Sequence, residues 1–218
     1  MGVLDPIRPK VLAVRLIPQL EPGMREQLQL RPEEKSIGLL TCDIDDPTYA
    51  GIDEATKMAD VRVVYAKSFY AGSAHASGAL SGEIIAILAG PEPQEVVEGL
   101  DAAATYIEER AWFYSANEEG TVAFFPHLIS QTGSYLSEMA GIEQGEPLAY
   151  LIAPPLESTF AIDAALKAAD VRMCTWFAPP SETNFSGALL TGTQEACKAA
   201  CLAFTDAVLD VARDPIRF

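Results

Sequence analysis

Apolar positions along the chain form short runs that alternate with stretches of helical periodicity. In the first half, four apolar or β-branched runs have the length of buried strands: 11–18, 37–42, 61–66 and 84–88. Two longer stretches, 47–59 and 93–109, carry apolar residues at helical spacing. The second half repeats this order, with predicted strands at 148–152 and 171–176 and predicted helices at 159–169 and 194–212. The pattern predicts a mixed α/β protein with helices packed on a sheet.

An internal repeat organises this pattern. The segment Ile52–Arg62 matches Ile162–Arg172 at eight of eleven positions, at an offset of 110 residues. Further along, Ser81-Gly82 matches Ser186-Gly187, which makes Ala188 the counterpart of Glu83. We therefore predict two copies of one unit, over residues 1–112 and 113–218.

Each copy contains a short helix that ends in Lys-x-Ala-Asp-Val, at Lys57–Val61 and Lys167–Val171, and a following Ser-Gly turn. These stretches resemble the bacterial microcompartment (BMC) shell domain. The family's last strand, with an Ile-Pro sequence, here comes first, at Leu16-Ile17-Pro18. The resemblance implies an α/β (α+β) fold of two tandem, circularly permuted BMC-type domains, each a mostly antiparallel sheet with flanking helices. It is strongest to shell proteins of ethanolamine-utilisation compartments.

The resemblance also implies an assembly. Six single-copy shell domains form a hexagon, so two copies per chain need three chains, which gives a pseudohexameric homotrimer. Lys57 and Lys167 would lie at the tile edge, where other shell proteins bind edge to edge. The expected location is the shell of a cytoplasmic compartment.

Composition excludes several other classes of protein. The net charge of −16, from 31 acidic and 15 basic residues, is opposite to the basic surface that nucleic acid requires. We expect no membrane span, because no stretch reaches the roughly 20 apolar residues that one needs. The four cysteines do not form a disulfide framework, and we interpret Cys197 and Cys201, four residues apart, as core residues. The ligand spacing of a metal site is also missing.

We find none of the catalytic motifs of nucleotide-binding, hydrolase or metalloprotease enzymes, and expect no catalytic residue. We expect His75 to be exposed and His127 to lie in the core or at an interface. A selectively permeable shell tile is the favoured function. An ethanolamine-sensing module, and a cytosolic enzyme that acts on a small amine, are the alternatives.

Acidic residues follow the second predicted strand, at Asp43, Asp45 and Asp46. Helix capping by Asp45, Asp46 or Thr48 is the ordinary explanation. Glu83 has no acidic counterpart in the other copy, and the resemblance implies an ethanolamine-binding small pore. Its expected residues are Asp45, Asp46, Glu83 and the backbone around Phe113, with Trp112 and Asn184 as further lining.

The segment 68–82 is rich in Gly, Ala and Ser and has little to bury. Under the resemblance, it would line a larger central pore as a gate loop containing Phe69, Tyr70, Gly72 and His75. We expect no required cofactor, but the resemblance suggests transient docking or passage of cobalamin at this pore.

Overall fold

The structure, a computed structural model, describes residues 1–69 and 72–217. Its strands and helices in chain order are β1 (Pro6–Ile7), β2 (Val11–Ile17), α1 (Pro22–Gln27), β3 (Ser36–Cys42), α2 (Asp45–Met58), β4 (Arg62–Ser68), β5 (Ile84–Gly90), α3 (Pro93–Glu109), β6 (Phe113–Ser115), β7 (Ala123–Ile129), α4 (Ser134–Ala140), β8 (Leu148–Ala153), α5 (Pro155–Ala168), β9 (Val171–Phe177), β10 (Ser186–Gly192) and α6 (Gln194–Arg213). A 3-10 turn spans Ser73–His75.

The chain forms two compact units. The first contains residues 9–111 and 133–136, and the second contains residues 1–8, 112–132 and 137–218. The units are the compact parts of the fold, whereas the copies 1–112 and 113–218 were predicted from the sequence repeat. The boundaries of those copies stay a prediction.

The first unit is a four-stranded antiparallel sheet in the order β2-β3-β5-β4. Helices α2 and α3 pack against each other and against this sheet. Its core joins apolar side chains from strands and helices, among them Leu40, Ile52, Leu88 and Ile107, all nearly inaccessible to solvent. Leu100 and Ile107 lie on the buried face of α3 as the sequence predicted, but Val96 and Ala103 complete its apolar stripe in place of the expected Val97 and Ala104.

The second unit is a six-stranded antiparallel sheet in the order β1-β6-β7-β8-β10-β9. Four of its strands, β7-β8-β10-β9, repeat the order of the first unit's sheet, and α5 and α6 repeat α2 and α3. The core includes Phe124, Leu151, Leu190 and Phe204. The predicted α/β fold with mostly antiparallel sheets is therefore confirmed.

The two units share even a local irregularity, which fixes the register of the repeat. Strand β4 skips Val64 in its pairing with β5, and β9 skips Cys174, 110 residues later, in its pairing with β10. With this register, Ile87 corresponds to Leu189, and Glu83 corresponds to Phe185. The match of Ser81-Gly82 to Ser186-Gly187 was therefore wrong by three residues.

The corrected match is supported by backbone conformation. Gly82 aligns with Asn184, and both have a positive φ, of 61° and 68°. A Cβ on Gly82 would lie 2.0 Å from the carbonyl oxygen of Cys42, so only glycine fits at this position. Asn184 is a residue type that tolerates the left-handed region.

Cys197 and Cys201 are buried as predicted, Cys42 is buried as well, and Cys174 is partly buried; all four cysteines are free. Burial raises the pKa of the Cys201 thiol to about 12 and that of Cys42 to about 11. Thiols that are hard to ionise are weak nucleophiles, as expected of core residues.

Candidate functional site

Asp45 and Asp46 lie inside the first turn of α2, whereas Asp43 precedes the helix. The N-cap residue is Ile44, whose side chain makes no cap hydrogen bond, and the helix begins at Asp45. Neither Asp45 nor Asp46 is therefore the N-cap, although both acids lie in the first turn, where negative charge complements the helix dipole. Thr48 does not cap either, because its hydroxyl donates back to the carbonyl oxygen of Ile44 at 2.8 Å.

The Asp45 side chain instead forms a hydrogen bond with the last residue of strand β4. Its side chain is almost completely buried, and its Oδ2 accepts a hydrogen bond from the Ser68 hydroxyl at 2.7 Å. Its Oδ1 accepts from the backbone N–H of Asp46 at 2.9 Å. The Ser68 hydroxyl also lies 2.7 Å from the phenol oxygen of Tyr49. These contacts join α2 to the end of β4.

Glu83 enters the same cluster from the start of β5. Its backbone N–H donates to the carbonyl oxygen of Cys42 at 2.8 Å, and its own carbonyl accepts from Phe69 N–H at 2.7 Å. The ends of β3 and β4 thus hold Glu83 in place. We call Asp45, Asp46, Ser68 and Glu83 the acidic cluster.

Burial and like charge make ionisation of this cluster costly. Burial raises the pKa of Glu83 to about 8, and the negative charges of Asp45 and Asp43 add to the effect, against a hydrogen bond from the Asp45 backbone. Burial also raises the pKa of Asp45, although hydrogen bonds from Ser68 and from the backbone oppose it. A cation placed here would favour the ionised carboxylates.

The second unit has no such cluster at its equivalent positions. In the corrected register, Pro155, Leu156 and Phe185 stand in place of Asp45, Asp46 and Glu83, and Ala178 stands in place of Ser68. Glu83 therefore has no acidic counterpart, as the sequence comparison indicated, but the aligned residue is Phe185 and not Ala188.

The predicted gate loop adjoins this cluster. Gly72 has a φ of 72°, and a Cβ at this residue would lie 2.8 Å from Oε1 of Glu83. Phe69 is half-buried, His75 is exposed as expected, and Tyr70 lies outside the described residues. The contact of Gly72 with Glu83 links the two features that the sequence analysis treated separately.

Three predicted lining residues belong to the second unit. Phe113 is buried, with its ring 5.1 Å from that of Phe125. The guanidinium of Arg8 lies 3.8 Å from the ring centroid of Trp112, and Asn184 is exposed. Their part in ligand binding stays a prediction.

The two predicted edge lysines lie near the ends of equivalent helices but differ in surroundings. Lys57 forms an ion pair with Glu54 and lies 6.0 Å from the ring centroid of Tyr106, with only 23% of its side chain exposed. Lys167 pairs with Asp163 and is 76% exposed. The tile-edge role stays a prediction for both.

The sequence analysis missed Ser68 and Tyr49 as members of the site. Ser68 was taken as the first residue of the loop, and only its distance from Asp45 in space shows its contact.

His127, on β7, is half-buried with its ring 4.9 Å from that of Phe125. Across residues 1–69 and 72–217, no three His, Cys, Asp or Glu side chains form a group that would hold a metal ion. The helices in those ranges are also too short or too polar to cross a membrane.

Comparison with known proteins gives full-length matches. A family model for the BMC domain matches residues 36–116. The bacterial microcompartment shell protein EutL of Clostridium perfringens is 58% identical over 214 residues, which cover 98% of this chain and 99% of that protein. EutL of Salmonella typhimurium is 55% identical, over 100% and 99% of the two chains. The crystal structure of ethanolamine utilization protein EutL from Leptotrichia buccalis has a TM-score of 0.98 and 56% identity, over 100% of both chains.

Proposed function

Because the chain belongs to the family of EutL bacterial microcompartment shell proteins, we propose that three copies form a pseudohexameric shell tile whose acidic cluster binds ethanolamine. This is a family of structural shell proteins and not of enzymes. The single observation that carries the binding proposal is the acidic cluster, in which Asp45 and Ser68 are buried and Glu83 is half-buried, and which the second unit lacks.

The trimer follows from the duplication. Each chain supplies two units that share the order of four strands and an equivalent pair of helices. A ring of six such units closes with three chains, and a closed ring leaves no interface unpaired. Sedimentation or native mass spectrometry of the purified chain tests it, and a stable monomer would contradict it.

Ethanolamine suits the acidic cluster chemically. At neutral pH, it carries one ammonium group and one hydroxyl. The ammonium would donate charge-assisted hydrogen bonds to the carboxylates of Glu83 and Asp45. Its positive charge would also offset the repulsion that raises the pKa of Glu83. In the proposed tile, backbone atoms around Phe113 bind the hydroxyl, and Trp112 and Asn184 contribute to the lining.

The loop after β4 is the proposed gate of a central pore in the tile. Its glycine at position 72 faces the Glu83 carboxylate. A ligand bound to Glu83 would therefore change the contacts of this loop. This contact favours the second candidate function, in which ethanolamine binding is also a signal that changes the pore. Phe69, Tyr70 and His75 would border the opening, where a bulky solute such as cobalamin docks or passes.

The tile would meet its neighbours through Lys57 and Lys167. Both lie in the last turn of their helices, and Lys167 keeps most of its side chain in solvent. Edge-to-edge binding to other shell proteins of the compartment is the proposed role. Replacing Lys167 should reduce the size of two-dimensional sheets in electron micrographs while leaving the trimer intact.

Calorimetric titration with ethanolamine tests the ligand site. We expect Glu83→Gln and Asp45→Asn to weaken binding by roughly 10-fold or more, since each removes a charged hydrogen bond. Glu33→Gln is the matched control, because Glu33 is an exposed acid of the same unit. Equal binding by all four proteins, or none by the wild type, would refute the ethanolamine proposal without affecting family membership.

A further inference from the structure

Tyr49 lies one turn of α2 before Asp53, on the same face of the helix. The Asp53 side chain is almost completely buried, and its carboxylate accepts hydrogen bonds from the backbone N–H groups of Gly133, at 2.7 Å, and Leu136, at 2.8 Å. Segment 133–136 is thereby fixed on this face of α2, beside Tyr49.

The same segment holds the ring of Tyr49. Tyr135, inside the segment, stacks on Tyr49 with ring centroids 6.1 Å apart and an angle of 16° between the ring planes. Both residues are half-buried. Packing of this kind restricts the rotamers that a side chain can adopt. The phenol oxygen of Tyr49 is therefore held at the end of β4, 2.7 Å from Oγ of Ser68.

A count of protons gives the direction of the hydrogen bonds around Ser68. A serine hydroxyl carries one proton, and its oxygen can also accept. An ionised carboxylate only accepts, so Ser68 donates its proton to Oδ2 of Asp45 at 2.7 Å. Tyr49 is then the donor in its contact with Ser68. The phenol, the serine hydroxyl and the carboxylate form a chain of two hydrogen bonds that both point towards Asp45.

Such a chain stabilises the ionised form of Asp45. Burial raises the pKa of Asp45, and the hydrogen bond from Ser68 is the largest effect that opposes this rise. A hydroxyl that itself accepts a hydrogen bond is a stronger donor, because neighbouring bonds in a chain polarise one another. The ionisable groups around Asp45 are Tyr49 and Asp46 on its own helix, Glu83 on β5 and Asp43 before α2, and β4 contributes the neutral Ser68 hydroxyl.

The second unit lacks both donors together with the acids. Thr159 stands in place of Tyr49, and its hydroxyl donates to the carbonyl oxygen of Pro155 in its own helix, at 2.7 Å. Ala178 stands in place of Ser68. Of the two units, the donors therefore occur in the one that has the carboxylates, which connects them with the acidic cluster and not with the shared fold.

We infer that Tyr49 is a positioning residue of the proposed ethanolamine site, which acts through the Ser68 hydroxyl to keep Asp45 an ionised acceptor for the ammonium group of the ligand. This role rests on the proposed function, because it concerns the same acidic cluster. Tyr49 sets the direction of the Ser68 proton and acts on the ligand only through Asp45. The cluster can then bind a cation at a lower pH than burial alone would allow.

The dependence of binding on pH distinguishes this role from a structural one. Without the Tyr49 hydroxyl, Ser68 is a weaker donor, so Asp45 takes up a proton at a higher pH than in the wild type. A protonated Asp45 offers no charge to the ammonium group, and binding at low pH becomes weaker. At high pH, Asp45 is ionised in both proteins, and both bind equally well. A general disturbance of the fold would instead weaken binding by the same factor at every pH.

Calorimetric titration with ethanolamine between about pH 5.5 and about pH 8.5 measures this dependence. Tyr49→Phe removes only the hydroxyl and should raise the dissociation constant roughly 3-fold to 10-fold at the lower pH, the range expected for one hydrogen bond, and less than about 2-fold at the upper pH. Tyr65→Phe is the matched control, because it makes the same substitution at an exposed tyrosine of the same unit. Circular dichroism checks that each variant is folded.

Ser68→Ala tests the path from the phenol to the carboxylate. This variant should weaken binding at least as much as Tyr49→Phe does, again mainly at low pH, because it removes the donor that contacts Asp45. In the Ser68→Ala background, Tyr49→Phe should cause no further loss, since the phenol then has no hydroxyl through which to act.

The outcomes separate the role of Tyr49 from the proposed function. A Tyr49→Phe effect that is absent, equal at every pH or fully additive with that of Ser68→Ala overturns the inference, and wild-type binding then leaves the ethanolamine site standing. A wild-type protein that binds no ethanolamine removes the proposed site and the role of Tyr49 with it.

Discussion

Glu83→Gln should stabilise the protein increasingly as the pH rises. The Glu83 carboxyl has its pKa raised from 4.5 to about 8, first by burial and then by the charges of Asp45 and Asp43. Between these two pH values, the folded state binds more protons than the unfolded state does, so the free energy of unfolding falls with rising pH. Because glutamine has the same shape as glutamate and does not ionise, the variant does not lose free energy of unfolding in this way as the pH rises.

The magnitude follows from the change in proton affinity. Each tenfold change in the proton affinity of Glu83 on folding corresponds to about 1.4 kcal/mol. The full pKa change would therefore lower the free energy of unfolding by roughly 5 kcal/mol at high pH. Glu83 is only half-buried, and water screens part of the interaction. We therefore expect the stability difference between variant and wild type to grow by roughly 1–2 kcal/mol between about pH 5 and about pH 9.

Urea unfolding at a fixed protein concentration, followed by circular dichroism, measures this difference. Glu33→Gln provides the control, because it makes the same substitution at an exposed residue outside the acidic cluster. Saturating ethanolamine should flatten the wild-type dependence, since the ammonium stabilises the ionised carboxylate. A Glu83→Gln difference that is constant or shrinks as the pH rises would refute the reasoning.

Three further predictions concern stability and reactivity. Leu136→Ala should lower the free energy of unfolding by about 2–5 kcal/mol in urea titrations, because Leu136 is completely buried. Gly82→Ala should cost about 2 kcal/mol or more in the same assay, since its Cβ meets the Cys42 carbonyl at a positive φ; an equally stable variant would contradict that clash. In the folded protein, Cys42 and Cys201 should resist maleimide at least 100-fold longer than in urea, measured by mass spectrometry, because both thiols are buried and hard to ionise.

The sequence predicted the repeated core well because periodicity reports burial directly. The strands at 37–42 and 84–88 and the helix at 93–109 appear almost as expected. Short elements were missed, among them β1, β6 and α1, because two to six residues carry too little periodicity to be distinguished from loops.

The site was predicted only in part, for a different reason. The sequence pointed to Asp45 and Asp46 as candidates, but the hydrogen bond of Asp45 with Ser68 spans 23 residues of sequence and leaves no local signal. Identity within the repeat was also misleading. Asp53 and Asp163 are the same residue in the best-matched segment, yet one holds a segment of backbone and the other faces solvent.

The exchange of short segments between the two halves of the chain has a consequence for any attempt to divide it. Residues 1–8 complete the second unit's sheet through β1, and residues 133–136 satisfy the buried Asp53 of the first unit. A gene cut between the copies would leave each half without a piece that it needs. Neither half of the chain is therefore expected to fold as a stable domain of its own, although each contains one full copy of the repeated order of strands and helices.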